Sequence, residues 1–458
     1  MTFQLIPPRV VPPLDEGFRP AVLANRFFYQ AATSPLLLGL ERNGGEVSRF
    51  ETKILPPDHP DFEDNFLYVE RIVKFLLWQR GGHTLHVGNS PRVAEYLQTL
   101  YSAQGERKFD WEFMGEQVYE RPLKILACAL DEVPASRETG NLVGRNLQGC
   151  RIGFDLGASD RKVSAVVDGT PIYSEEVIWE PRKNSDPEYH YREIVTAIRT
   201  AASKMPRVDA IGGSSAGIYI DNRPMVASLF RSVPRERFGE IKEMFSKIQK
   251  EMNVPLEVIN DGDVTALAGS MSIEDDGILG IALGSSEAAG YVNMEGHIMG
   301  WLNELAFAPI DYSPSAPVEE WSGDMGCGSS YFSQQCVFRL APKAGIDIPS
   351  EVTDAEKLKF VQEKLEAGHE GAVNIWRSMG IYLGYGIAHY ADFYDMKHVL
   401  ILGRCTSGRG GDLLIEGAKK VFEVEFPELL QKVELHLPDE KIRRVGQSVA
   451  AASLPVIN

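Results

Sequence analysis

The residues best placed to do chemistry lie in the run Asn260-Asp261-Gly262-Asp263, which closes a short apolar strand pattern made by Leu256, Val258 and Ile259. Strand ends in α/β chains are where side chains are delivered to substrate. A carboxylate there can serve as a general base, or it can cap the helix that follows. About one helix downstream, a strand pattern over 277–283 runs into Gly284-Ser285-Ser286, and a second strand, 290–292, leaves that turn. Such a small-residue turn either presents backbone amides to a phosphate or is an ordinary hairpin. Upstream, a strand over 151–154 leads into Asp155-Leu156-Gly157-Ala158-Ser159. An aspartate followed by a glycine and a hydroxyl can hold a magnesium-bound phosphate through metal water, although a plain β-meander would read the same way. Near the carboxyl end, a strand over 398–402 feeds the glycine-rich turn that opens Gly403-Arg404 and precedes a helix from residue 413. Backbone in such a turn can approach a nucleotide closely.

The elements that must position these residues follow from the periodicity. Residues 1–60 are punctuated by proline and are expected to be irregular. An amphipathic helix is expected at 63–79, strands at 84–87, 109–113 and 123–129, and a helix opened by Ser90-Pro91. Residues 132–149 are polar and rich in turn formers, as a linker would be. Strands at 151–154 and 162–167 and a third after Asp168-Gly169 form a meander, because Asp-Gly between alternating strands is a hairpin signal. A helix at 189–205, a strand at 208–213 and a small-residue loop at 214–217 add a parallel crossover. Further helices are expected at 238–253, 355–367, 372–392 and 445–453, and Asp263 is expected to cap the helix after Asn260.

A chain of 458 residues with 44% hydrophobic content can bury two or three cores. Its five cysteines are scattered and lack a CxxC pair, which argues against a disulfide framework and a zinc knuckle and fits a reducing cytoplasm. No apolar run is long enough to span a bilayer. The net charge is −17, with 16 basic against 19 acidic residues up to position 150 and 31 against 45 beyond it. Without clustered cations, nucleic acid is an unfavourable partner, and a winged-helix reading of 63–101 fails because PRVAEYLQTLY has no basic face.

Taken in order, strand-DLGAS-strand-DG-strand, crossover, Asn-Asp at a strand end, LGSS hairpin and glycine turn before a final helix pair resemble the actin, hexokinase and Hsp70 superfamily. Within it, the chain resembles the ROK family of sugar kinases and related repressors, as a divergent member without the zinc motif. The resemblance covers about residues 151–458. It implies an α/β, two-lobed actin-like ATPase (ribonuclease H-like) fold with an extra N-terminal α/β region. The expected division is 1–149 as an extension of unknown role, 150–265 as the first lobe, 266–444 as the second, and 445–458 as a helix returning to the first.

The same resemblance implies an ATP-dependent sugar kinase with a small-molecule sugar and ATP as partners, and it is compatible with a homodimer. By position, Asp261 would be the general base and Asn260 and Glu304 would bind the sugar. Asp155, Gly157, Ser159, Gly284 and Ser285 would serve the phosphates, with Mg²⁺ held through water at Asp155, and Gly403 and Arg404 would serve the adenosine. The departures also carry information. Phe307 stands at the position of the family's zinc-binding histidine, and SGDMGCGSSYF keeps only Cys327, so no zinc is expected there. Ala158, Ser286, Ala288, Ala289 and Arg404 replace glycines, and Ser329 replaces a second sugar-binding glutamate. Added side chains limit how closely backbone and phosphate can meet. A non-catalytic sugar- or nucleotide-binding sensor or scaffold is therefore the alternative. A cluster-bearing ATPase of the superfamily would need cysteine ligands that the sequence does not assemble.

Overall fold

The computed structural model describes residues 3–138, 144–438 and 446–457. Two compact units emerge: Met1–Thr139 with Ile281–Ala289 and Trp301–Leu437, and Gly140–Gly280 with Gly290–Gly300 and Pro438–Asn458.

The N-terminal part is ordered. It holds α1 (Ala21–Ala31), β1 (Ser34–Glu41), β2 (Val47–Ile54), α2 (Asp64–Arg80), β3 (Thr84–Gly88), α3 (Pro91–Leu100), α4 (Lys108–Glu112) and β4 (Lys124–Cys128). The strands form a sheet in the order β2-β1-β3-β4. Three expectations fail here. Residues 1–60 are not irregular, because the apolar run in β1 pairs antiparallel with β2 from Ser34–Ile54 to Glu41–Val47. The stretch 109–113 is helical rather than a strand, since its aromatic residues pack on a helix face, with Trp78 and Phe113 ring centres 5.0 Å apart. Helix α2 is not amphipathic: residues 68–80 are all buried. Its charges are accommodated by pairing, as burial demands.

The second unit is built on β5 (Cys150–Leu156), β6 (Asp160–Val167), β7 (Thr170–Ile178), α5 (Pro187–Ala202), β8 (Ala210–Ser215), β9 (Ile218–Ile220), β10 (Arg223–Val226), α6 (Phe238–Lys242), α7 (Met244–Met252), β11 (Leu256–Asn260) and α8 (Asp261–Ile273). Asp168 and Gly169, at φ +46° and +78°, make the tight β6–β7 turn. The sheet order is β11-β8-β5-β6-β7, with β11 and β5 parallel to β8. One face buries Ile152, Phe154, Ile198, Ile211, Phe230, Phe245 and Val258.

The chain continues through β12 (Ile278–Leu283), β13 (Glu287–Val292), α9 (Gln334–Leu340), α10 (Asp354–Glu366), α11 (Glu370–Tyr390), β14 (His398–Leu402), α12 (Arg409–Glu425), α13 (Leu429–Lys432), β15 (Glu434–His436) and α14 (Gln447–Ala452), with sheet order β13-β12-β14-β15. Helix α14 lies directly on the backbone of β5 and β8. A Cβ at Gly153 would sit 1.6 Å from the Ser448 carbonyl oxygen, and one at Gly212 would sit 1.7 Å from that of Ala451. Only glycine permits that approach.

Candidate active site

In the second unit, the carboxyl ends of three neighbouring strands carry Asp155, Asn260 and, just beyond, Asp261. Register pairs Asp155 of β5 with Ser214 of β8, and Ser215 of β8 with Asn260 of β11. Ser214 and Ser215, expected in a loop, are the last residues of β8. The Ser214 hydroxyl donates to Asp155 Oδ1 at 2.7 Å. Sequence reasoning missed this residue, and the signal available was a hydroxyl pair ending an apolar strand.

Burial raises the Asp155 acid above the usual carboxylate range, opposed by the Ser214 hydrogen bond and Lys162 and reinforced by Asp160. Asp261 opens α8 at the end of β11. Burial and then the charge of Asp155 push it up to about 6, against the pull of nearby backbone N–H groups. Its side chain retains some solvent exposure. Two carboxyl groups both raised by burial, one of them also by the other's charge, form an acidic, partly desolvated donor set.

The cap of α8 differs from expectation. Asn260, not Asp263, is the capping residue: its Oδ1 accepts from Gly262 N at 2.7 Å, and its Nδ2 donates to the Gly217 carbonyl at 2.8 Å. Asp263 is a turn further in and accepts from Tyr291 N at 3.0 Å. Asparagine reaches back to the first turn from the N-cap position, which a residue already inside the helix cannot do.

The turn after Asp155 is tight. Gly157 N donates to the Asp160 carbonyl at 2.9 Å, the Ser159 hydroxyl donates to Asp160 Oδ2 at 2.9 Å, and the Trp179 indole donates to the Gly157 carbonyl at 2.8 Å. The Gly157 amide and the Ser159 hydroxyl are thus engaged within the turn, with the Asp160 carboxylate beside them.

In the other unit, Gly284 N donates to the Ser286 carbonyl at 3.1 Å, closing the hairpin, and Ser285 and Ser286 are exposed at its tip. Gly403 has φ +98°, and a Cβ on it would lie 2.5 Å from the Leu283 carbonyl oxygen. The two glycine motifs therefore abut within one sheet. Arg404 is exposed, and its carbonyl accepts from Gln362. Glu304 is half-buried, in a segment strapped to the end of α2: Asn303 N donates to the Gln79 carbonyl at 2.8 Å, and Glu304 N to that of Trp78 at 2.9 Å. The buried Glu287 went unforeseen. It accepts from the Tyr390 hydroxyl at 2.9 Å, and burial pushes it up to about 8.

At the zinc position named above, Phe307 stacks on Trp78 with ring centres 4.2 Å apart, and burial pushes the Cys327 thiol up to about 12. The neighbouring loop is held by ion pairs: Lys74 contacts Asp324 at 3.1 Å and Asp110 at 3.0 Å, Arg71 contacts Asp324 at 3.0 Å, and Arg107 contacts it at 2.8 Å. A neutral thiol beside an ammonium is a poor metal donor set.

No protein-family model matches the sequence, and no curated protein matches it. Solved structures do. A ROK family glucokinase from Streptomyces griseus, in complex with glucose and AMPPNP, superposes with TM-score 0.50 at 19% identity over 66% of this chain and 98% of that one. A ROK family transcriptional regulator, a homologue of the E. coli MLC protein, gives 0.52 at 18% over 67% and 78%. The ROK hexokinase from Thermus thermophilus gives 0.50 at 17% over 66% and 96%. The fold is that of the ROK proteins. It is the actin-like ATPase fold, which kinases and a regulator share, so function has to be argued from the residues. Among the described residues no helix is long and apolar enough to cross a membrane.

Proposed function

We propose that the protein is an ATP-dependent sugar kinase in which Asp261 is the general base. The observation that carries this reading is the placement of Asp155 at the end of β5 and Asp261 just after β11, the two strands that flank β8, where burial and the Asp155 charge push Asp261 up to about 6. A base with that pKa is ionised at neutral pH yet basic enough to accept a hydroxyl proton as the oxygen attacks a phosphoryl group. The donor chemistry at Asp155 fits a hard cation: a carboxylate oriented by Ser214, with the Asp160 carboxylate adding to the local negative charge. A magnesium ion bound there through water would offset phosphate charge. Asp155 would orient that water, Asp261 would take the proton, and Glu304 and the remaining hydrogen-bonding capacity of Asn260 would orient the sugar. The clearance at Gly403 and the exposed Ser285 suit the nucleotide.

A specific observation favours the second reading, a non-catalytic sensor of the same fold: the Gly157 amide and the Ser159 hydroxyl are already engaged inside their turn. The experiment is ADP release from Mg-ATP across a panel of sugars and amino sugars. Sugar-dependent ADP release supports the kinase, whereas silence across the panel with calorimetric sugar binding supports the sensor.

A further inference from the structure

The geometry points to a site for a divalent transition-metal ion of the zinc class, built by His398, Glu434 and His436 on the edge of the β13-β12-β14-β15 sheet. Strands β14 and β15 are parallel, with His398 opposite Glu434 and Leu400 opposite His436. Side chains alternate along a strand and paired residues share a face, so all three donors project from the same side while Leu435 faces the other.

The distances fit an ion. His398 Nδ1 lies 2.9 Å from His436 Nε2, and Glu434 Oε2 lies 3.9 Å from each of those nitrogens. The nearest point equidistant from the three atoms lies in their plane about 2.1 Å from each, within the ~2.0–2.2 Å of zinc–nitrogen and zinc–oxygen bonds. Two imidazoles and one carboxylate select zinc, cobalt or nickel over magnesium or calcium, which prefer all-oxygen sites. Exposure is graded across the three side chains, 9% for His398, 18% for His436 and 70% for Glu434, so an ion can enter from solvent and keep water as a further ligand.

The site is separate from the proposed chemistry. His398 begins β14, and Gly403 lies five residues further on, about 16 Å at the usual strand rise. An ion here would clamp the three-residue edge strand β15 onto β14 and so fix the chain that leaves α13.

The test is zinc titration of the chelator-stripped full-length chain, read by competition with a chromophoric chelator, with cobalt spectra and thermal melting alongside. One zinc per chain is expected, with an imidazole-type cobalt spectrum and a higher melting temperature. Glu434→Gln, which alters a side chain 70% exposed, should weaken zinc about tenfold, and His436→Asn about a hundredfold or more. Two results would overturn the site. One is failure of the wild-type chain to take up zinc at micromolar concentration, which would leave the imidazoles as a plain hydrogen-bonded pair. The other is zinc affinity unchanged in both variants, which would place the ion elsewhere.

Discussion

Lys74→Met is the most informative stability experiment. Lys74 is fully buried on α2 and lies between Asp110, 3.0 Å away, and Asp324, 3.1 Å away. Six ionisable groups meet here. Arg71, Lys74 and Arg107 face Glu70, Asp110 and Asp324, and the cluster is neutral. Methionine keeps the volume but leaves one uncompensated negative charge in a desolvated place, so the substitution should cost about 3–5 kcal/mol near pH 7. Adding Asp110→Asn restores neutrality and should recover about 1–3 kcal/mol of that, which a double-mutant cycle in urea measures directly.

The pH dependence follows. The cations around Asp324 outweigh its burial and hold its carboxyl far below the usual range, so that group's contribution is present above about pH 4 and is lost as the pH falls. In Lys74→Met the excess charge takes up a proton more readily, so the gap from wild type should narrow on acidification. A cost below about 1 kcal/mol at pH 7, or a gap that does not change with pH, would refute the view that these charges stand or fall together.

Other expectations can be checked as directly. Sugar-dependent kcat/KM should fall on the acid side with a midpoint near pH 6, the pH at which Asp261 gains its proton; a midpoint near 4 would place the base elsewhere. Because folding raises the Asp261 pKa, the native state holds that proton better than the unfolded chain. Stability should therefore decline as pH rises from about 4 to 6, and Asp261→Asn should flatten that slope. Gly403→Ala must place a methyl against the Leu283 carbonyl at φ +98°, so a loss of about 1–3 kcal/mol in thermal unfolding is expected together with a raised KM for ATP.

The elements that carry the candidate site were legible because they are local. DLGAS, Asn-Asp and LGSS each occupy a few consecutive residues, and the strands that carry them are short and apolar. What escaped the sequence depends on tertiary pairing. The charges of α2 read as a solvent-facing stripe because their partners lie as far away as Asp324. The stretch 109–113 is a short aromatic run whose period cannot separate strand from helix, and packing on Trp78 decides it. Asn260 and Asp263 both suit a cap, and only the helix start distinguishes them. His398 and His436 are 38 residues apart, so no spacing motif announces them.

The most direct measurement of the central claim is to compare wild type with Asp261→Asn for sugar-dependent ADP release and calorimetric sugar binding. The account predicts that turnover disappears while sugar affinity stays within about threefold, since the isosteric amide keeps the contacts but cannot accept the proton. Persistent turnover in the variant would contradict it.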